Sequence, residues 1–328
     1  MGWGGVIDVE RVLVTGGAGF VGAAVVRALV ADGRVVRVLV REGSDVRNLA
    51  GLPVERVVGD VRELEAVRRG VRGCQAVYHV AAFYSSQPAD EALLYAVNVQ
   101  GTANVLRAAA EGGVTSLVHT STIGAIGRPA APAELPTEDT PFNLWDQASH
   151  YVRSKVLAEQ AVLAADVPAV VVNPTAPVGP GDWRPTATGA RLLACLRGQM
   201  PPYLAGGINF CGVDDIARGH LLAAQVGRRG QRYILGHPTG NLDLAAFLAL
   251  MAQASGQTAP RAAPAWRARL DPRRWRTAAS PAPTTLPPAL TCNPARALRE
   301  LHWQPAPLLD AFVAAVRWLR INFALETG

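Results

Sequence analysis

The stretch Arg11-Val12-Leu13-Val14-Thr15-Gly16-Gly17-Ala18-Gly19-Phe20-Val21-Gly22 decides the fold. Its first five residues carry a run of branched apolar side chains, which reads as a buried strand. Residues 21–31 then place apolar side chains at helical spacing. Between the two lie glycines at 16, 19 and 22, which permit a tight turn, close approach of the backbone to a pyrophosphate, and close packing of helix on strand. The positive end of the helix favours the phosphates. A glycine-rich turn alone can be no more than a turn, but one joining a first strand to a first helix is a dinucleotide-binding pattern. Gly16, Gly19, Phe20, Val21 and Gly22 are the expected contacts.

The same alternation continues outward. Residues 35–41, 54–59, 76–80, 116–120 and 169–173 read as strands, with helical spacing over 21–31 and 93–111. Strand and helix in alternation predict an α/β fold, a doubly wound parallel Rossmann sheet. The near-continuous apolar run Val35-Val36-Arg37-Val38-Leu39-Val40 suits a sheet covered on both faces. After Pro174 the rhythm breaks into Pro, Gly and Thr, with helices expected near 187–198, 213–226 and 242–254. Residues 1–174 are therefore expected to form the dinucleotide-binding domain with the catalytic residues, and 175–328 a smaller substrate-binding lobe, some of whose segments return to the core.

Composition excludes several classes. The 328 residues are 49% hydrophobic, and their net charge of +6 is modest and spread along the chain, which disfavours nucleic acid as a partner. Cys74, Cys195, Cys211 and Cys292 are far apart, so neither a metal site nor a disulfide framework is expected, and a reducing cytoplasm fits. No secretory leader is legible before the first strand. The apolar stretch 308–324 is interrupted by Asp310, Arg317 and Arg320 and reads as an amphipathic helix rather than an integral membrane segment.

Lys155 is the only lysine beside 31 arginines, in Tyr151-Val152-Arg153-Ser154-Lys155. An ammonium kept in so arginine-biased a chain reads as chemical, because lysine is a compact point charge with a shiftable pKa. Tyr151 and Lys155 share one helix face, and a nearby ammonium is expected to lower the phenol's pKa for proton transfer. His119-Thr120-Ser121-Thr122 closes the fifth strand at the carboxyl edge, where a hydroxyl can hold a substrate oxygen. At the end of the second strand, Arg41 could clamp the 2′-phosphate of NADP, and Glu42 lies one residue late for an NAD ribose, so NADP(H) is favoured over NAD(H). Asp60 and Val61 would sit near the adenine, or Asp60 would only cap the next helix.

These motifs together resemble the extended short-chain dehydrogenases/reductases, the NAD-dependent epimerase/dehydratase family, from about residue 10 to 255. The matching elements are Thr-Gly-x-x-Gly-x-x-Gly, a Ser or Thr after the fifth strand, and Tyr-x-x-x-Lys. The resemblance implies that Thr122 orients the substrate, with Ser121 the neighbouring candidate, that Tyr151 transfers the proton, and that Lys155 binds the nicotinamide ribose. It further implies that Ala81 and Ala82 (in His79-Val80-Ala81-Ala82) and Pro174 and Thr175 (in Asn173-Pro174-Thr175) line the cofactor. Asn98 is either a helix-packing amide or a participant. Within the family the chain is similar to the hopanoid-associated sugar epimerase group, close to dihydroflavonol reductases, through Asn48-Leu49, residues 173–182, 185–189 and 219–223. It departs from that group at Gly212, where a histidine is usual, and over 262–290, where an apolar helical segment is usual.

The expected activity is NAD(P)(H)-dependent interconversion of a carbonyl and a secondary alcohol. Alternatives are a sugar or nucleotide-sugar epimerase with tightly held NAD(P), and a non-catalytic dinucleotide sensor. The partner is a small carbonyl, alcohol or sugar. The family resemblance also implies a homodimer built on the helices near 93–111 and 151–165, although their Ala and Leu residues could equally pack on the sheet. Six arginines with Trp266 and Trp275 between 261 and 276 read either as a solvated loop or as a cover that attracts an anionic substrate or membrane.

Overall fold

The computed structural model describes residues 10–131, 133–260 and 289–324. The arginine-rich stretch lies outside them. Seven strands form one sheet in the order β3-β2-β1-β4-β5-β6-β9. They are β1 (Arg11–Thr15), β2 (Val35–Val40), β3 (Val54–Val58), β4 (Ala76–His79), β5 (Ser116–Thr120), β6 (Ala169–Pro174) and β9 (Arg232–Leu235), every neighbouring pair parallel. The order reverses between β1 and β4. At such a switch point the loops leaving the two strands diverge and open a crevice at the carboxyl edge.

Helices cover both faces, which is why the strands read as unbroken apolar runs. Val12 and Val14 face α1 (Phe20–Ala31) and α7 (Val213–Val226), whereas Leu13 faces α2 (Leu64–Val71) and α4 (Gly101–Glu111). Val170 and Val172 of β6 join the first cluster and Ala169 and Val171 the second. Each such valine or leucine, wholly removed from water, contributes on the order of 1.5–3 kcal/mol.

The remaining strands, β7 (Ala176–Val178), β8 (Ile208–Gly212) and β10 (Asn241–Leu242), form a small mixed sheet. Against it pack α6 (Ala187–Leu196), α8 (Leu244–Ser255) and α10 (Leu308–Asn322) around Phe210, Phe247 and Phe312. The chain after Pro174 thus contributes to both bodies. Besides β9, it returns α7, α9 (Ala295–Glu300) and Trp303 to the main core, where Trp303 Nε1 donates to Asp215 O at 2.9 Å.

Two local differences from the expected elements matter. Strand β2 stops at Val40, so Arg41 is the first residue of the turn beyond it. The helical path through 91–111 is not uniform: α3 (Glu91–Tyr95) passes through a π turn, Ala96–Gln100, before α4. Asn98 sits in that turn, and its amide is committed to the chain at Phe83 and to Ser154 rather than to solvent. Apolar spacing cannot register one extra residue in a turn.

Candidate functional site

The glycine turn is shaped by contacts that leave no room for side chains. A Cβ on Gly16, whose φ is +71°, would come to 2.6 Å from the backbone of Ala81, and one on Gly22 to 2.1 Å from Gly16 O. Helix α1 therefore starts hard against β1. Its N-cap, Gly19, supplies no side-chain acceptor to the first turn, and no acidic residue stands there. The first backbone N–H groups of the helix are thus left without a side-chain acceptor, a cradle for an anion. Phe20 and Val21 open the helix at this point.

A chain of bonds joins this turn to the next strand. Ala81 N donates to Thr15 Oγ1 (3.3 Å), which is 2.7 Å from His79 Nδ1, while His79 Nε2 is 3.0 Å from Thr102 Oγ1, itself a donor to Asn98 O (2.6 Å). The donors close consistently only if His79 is neutral with its proton on Nε2. Burial, followed by the Lys155 charge, pushes its pKa down to about 3.

The cleft beside the ends of β2 and β3 has a volume of about 770 Å³ and is lined by Gly19 and Phe20 at the start of α1, by Arg41 and Asp60 after the strands, and by Trp183 and Arg184 from beyond β7. Asp60 does not cap α2, whose N-cap is Glu63; its carboxylate accepts from Arg62 N, Nε and Nη2 at 2.9–3.0 Å. The Val61 side chain is buried in the core against Gly101, so only its backbone can meet a ligand at this edge.

The proposed chemistry sits elsewhere along the same carboxyl edge, outside that cleft. Helix α5 (His150–Ala164) is capped by Ser149, whose hydroxyl accepts from Val152 N at 3.3 Å. That cap sets Tyr151 in the first turn and Lys155 in the next. Lys155 is 1% exposed and donates from Nζ to Thr120 O at 2.7 Å. Desolvation pushes its pKa down to about 8 against a smaller opposing pull from Glu159. Thr122 lies in the turn that follows β5, and its Oγ1 accepts from Gly124 N at 3.3 Å, leaving its own O–H to donate. A Cβ on Gly124 would lie 3.4 Å from Val152 Cγ2, so the Thr122 turn packs on the first turn of α5.

The expectation that the ammonium lowers the phenol's pKa is not met. Burial, with a smaller contribution from Tyr84, pushes Tyr151 up to about 12. Low polarity thus disfavours charge at both groups and shifts their pKa values in opposite directions: the phenol keeps its proton and the ammonium is inclined to lose one. Of the other expected residues, Ala81 abuts the glycine turn and Ala82 is exposed at the same edge. Pro174 ends β6, and Thr175 is buried with Oγ1 donating to Leu235 O at 3.3 Å. Ser121 is buried and its hydroxyl has no partner among the described residues.

Several residues at this edge escaped the sequence reading. Tyr84 packs edge-on to Tyr151, with ring centroids 4.8 Å apart at 77°. Glu159, 3% exposed, accepts from Arg232 Nη1 and Asn173 Nδ2, both at 2.8 Å, and Asn173 Nδ2 also donates to Thr122 O at 3.1 Å. Asn173 thus links the Glu159–Arg232 pair to the carbonyl of Thr122. Tyr84 lies in a loop without periodicity, and Glu159 and Arg232 are 73 positions apart, so no sequence signal joins them.

The chain has clear relatives. Residues 12–236 match the model of the NAD dependent epimerase/dehydratase family. A dihydroflavonol 4-reductase-like protein of Synechocystis sp. is 42% identical over 263 residues, 77% of this chain and 75% of the relative. Sterol demethylase protein B of Methylococcus capsulatus is 34% identical over 94% of this chain and 98% of its own length. Among solved structures, UDP-glucose 4-epimerase of Thermus thermophilus in complex with NAD superposes with a TM-score of 0.76 at 26% identity, covering 95% of this chain and 99% of the epimerase. With the glycine turn, the switch-point crevice and the Tyr151–Lys155 helix already in place, the chain belongs to the NAD-dependent epimerase/dehydratase family, the extended short-chain type of NAD-dependent reductases, epimerases and dehydratases.

Proposed function

We propose that this protein is an NADPH-dependent reductase that converts a small ketone or aldehyde to an alcohol, with Tyr151 as the proton donor. The observation that carries the reading is the arrangement of three groups at the carboxyl edge: Tyr151 in the first turn of α5, Lys155 one turn on and bound to Thr120 O at 2.7 Å, and the Thr122 turn packed on the same first turn, with burial keeping the phenol protonated so that it enters the reaction as the acid. The dihydroflavonol 4-reductase-like relative supports the same direction.

A nicotinamide dinucleotide bound along the carboxyl edge would supply the hydride. The fit rests on the glycine cradle and on Lys155, which spends one N–H on Thr120 O and keeps two donors for ribose hydroxyls. Gly16, Gly19, Gly22 and the start of α1 would hold the pyrophosphate, Arg41 the 2′-phosphate, and Ala81, Ala82, Pro174 and Thr175 the nicotinamide half. Thr122 Oγ–H donates to the substrate carbonyl oxygen, which Tyr151 Oη then protonates. Residues up to 174 carry the chemistry and most of the cofactor site, and the chain from 175 onward shapes the substrate pocket while adding Thr175 and the Trp183 wall to that site.

Arg41 supports NADP(H) because it faces the cleft with no ion pair among the described residues. A homodimer through α4 and α5 is the preferred assembly, supported by Leu157 standing 38% exposed on α5. A cytoplasmic location rests on four cysteines that are all free. No helix among the described residues is long and apolar enough to cross a membrane.

The decisive experiment is a panel of carbonyl compounds assayed by NADPH oxidation, with Tyr151→Phe alongside. Loss of turnover by about 10²–10⁴-fold with cofactor affinity retained is expected, and unchanged turnover would remove Tyr151 from the mechanism. The second reading, an epimerase, is favoured by the likeness to UDP-glucose 4-epimerase. Purification with retained NAD and no net NADPH consumption by any carbonyl would establish it instead.

A further inference from the structure

The adenosine end of the cleft is roofed by the chain that follows β7. Asn48, in the turn after β2, donates from Nδ2 to Ala18 O (3.3 Å) in the glycine turn and to Gly181 O (3.0 Å) in the roof. One amide therefore ties the two lobes together across the crevice. The approach requires glycine, since Gly181 has φ +101° and a Cβ there would meet Asn48 Oδ1 at 2.9 Å. Trp183 is held from both sides, with the Arg47 guanidinium 4.0 Å from its ring centroid and Trp318 of α10 edge-on at 4.9 Å. Asp182, 4% exposed, accepts from Thr186 N (2.9 Å) and Thr186 Oγ1 (2.8 Å), fixing the turn that opens α6.

Arg184 stands between these anchors, on a backbone fixed at Trp183 and Thr186, with its own side chain exposed at the cleft. The guanidiniums around the cleft fall into two kinds. Arg62 is bound to Asp60 at 2.9 Å and Arg47 to Asp45 at 2.5 Å. Arg41 and Arg184 have neither an ion pair nor a hydrogen bond among the described residues, and they come from opposite lobes. Arg184 shares this cleft with the turn after β2, Arg41 to Asp45, and the carboxyl of Asp45, held at about 2 mainly by Arg47, feels the Arg184 charge as well. The end of β2 is where the adenosine ribose lies in this fold.

Carboxylates crowd the same place. Glu42, Asp45, Asp60, Glu63 and Asp182 line the cleft with Arg41, Arg62 and Arg184. A phosphate monoester brings close to two further negative charges at pH 7. One unpaired guanidinium compensates only part of that charge in such surroundings, and two can grip it from both sides. We propose that Arg184 is a second specificity-determining cation, closing on the 2′-phosphate of NADP(H) opposite Arg41, so that this phosphate is clamped between the two lobes. The inference rests on the NADP(H) reading given above.

The test measures dissociation constants of NADPH, NADH, 2′,5′-ADP and 5′-AMP for the full chain and for Arg184→Ala. The variant is expected to bind NADPH and 2′,5′-ADP at least about tenfold more weakly, equivalent to about 1.4 kcal/mol, and to bind NADH and 5′-AMP within about twofold of the parent. Arg184→Lys should recover part of the loss. Equal weakening of NADPH and NADH would put Arg184 on the pyrophosphate and overturn the assignment, as would unchanged NADPH affinity. The parent protein tests the underlying reading separately. If it binds NADH more tightly than NADPH and does not distinguish 2′,5′-ADP from 5′-AMP, the NADP(H) preference itself fails, whatever Arg184→Ala does.

Discussion

Replacing Lys155 by Met should abolish turnover and make the empty protein more stable at neutral pH. The folded chain holds this ammonium almost wholly out of water, and its pKa falls from 10.5 to about 8. The sign follows from proton binding. Between those two values the unfolded chain keeps the proton that the folded chain releases, so folding is opposed by the full shift below pH 8 and relieved as the pH rises toward 10.5. A shift of this size corresponds to about 3 kcal/mol at pH 7, falling below about 1 kcal/mol at pH 10. Against it stands the loss of the bond to Thr120 O, about 1–2 kcal/mol. Met fills a similar volume without charge. The variant should therefore gain about 1–2 kcal/mol at pH 7, and its advantage should vanish or reverse by pH 10. Denaturant unfolding of the cofactor-free parent and variant at the two pH values measures both quantities. A variant less stable by more than about 2 kcal/mol at pH 7, or an advantage that does not shrink with pH, would refute the reasoning. Lys155→Arg, which must bury a wider fork that stays charged, should lose both stability and activity.

Three further outcomes follow from the same geometry. The reductive kcat/KM, which reports free-enzyme groups, should be level below neutrality and fall above about pH 8 as Lys155 loses its proton, while Tyr151, at about 12, stays protonated throughout; a profile flat to pH 10 would exclude Lys155 as the titrating group. Asn98→Ala removes the partners of Phe83 N (2.8 Å), Phe83 O (3.0 Å) and Ser154 Oγ (2.9 Å), and thermal unfolding should show a loss of about 2–3 kcal/mol. Gly22→Ala forces a methyl to within 2.1 Å of Gly16 O, so calorimetric titration with either dinucleotide should show binding lost or greatly weakened; near-normal affinity would mean that α1 can move away from the glycine turn.

The first six strands of the main sheet and the glycine turn were legible because both are local, whereas β9 and the small β7-β8-β10 sheet, which lie where Pro, Gly and Thr break the apolar rhythm, were not. The apolar runs Val12–Val14 and Val36–Val40 are buried on both faces, and the glycines at 16, 19 and 22 answer to backbone spacing within one turn. Tyr151 and Lys155 are also neighbours on one helix, so their spacing sufficed to pair them. The π turn at Asn98 was not legible, since it is held by hydrogen bonds of the Asn98 side chain, which accepts from Phe83 N and donates to Ser154 Oγ, rather than by a change in apolar spacing.

The charge states at the site belong to the tertiary structure. Spacing places an ammonium one turn from a phenol and suggests a lowered phenol pKa, yet the polarity around each group depends on what the rest of the chain packs over it. Here desolvation prevails at both, raising Tyr151 and lowering Lys155. The same holds for the roof over the cleft. Asn48 and Gly181 are 133 positions apart, and only the folding of the second lobe against the first brings Arg184 to the cleft that Arg41 lines. Six strands of the main sheet, the glycine turn and the Tyr151–Lys155 spacing could be read from the chain alone, because their physics acts over a few residues. The fold decided which groups lie out of water and which charges face one another, because desolvation and electrostatic pairing depend on distance in space.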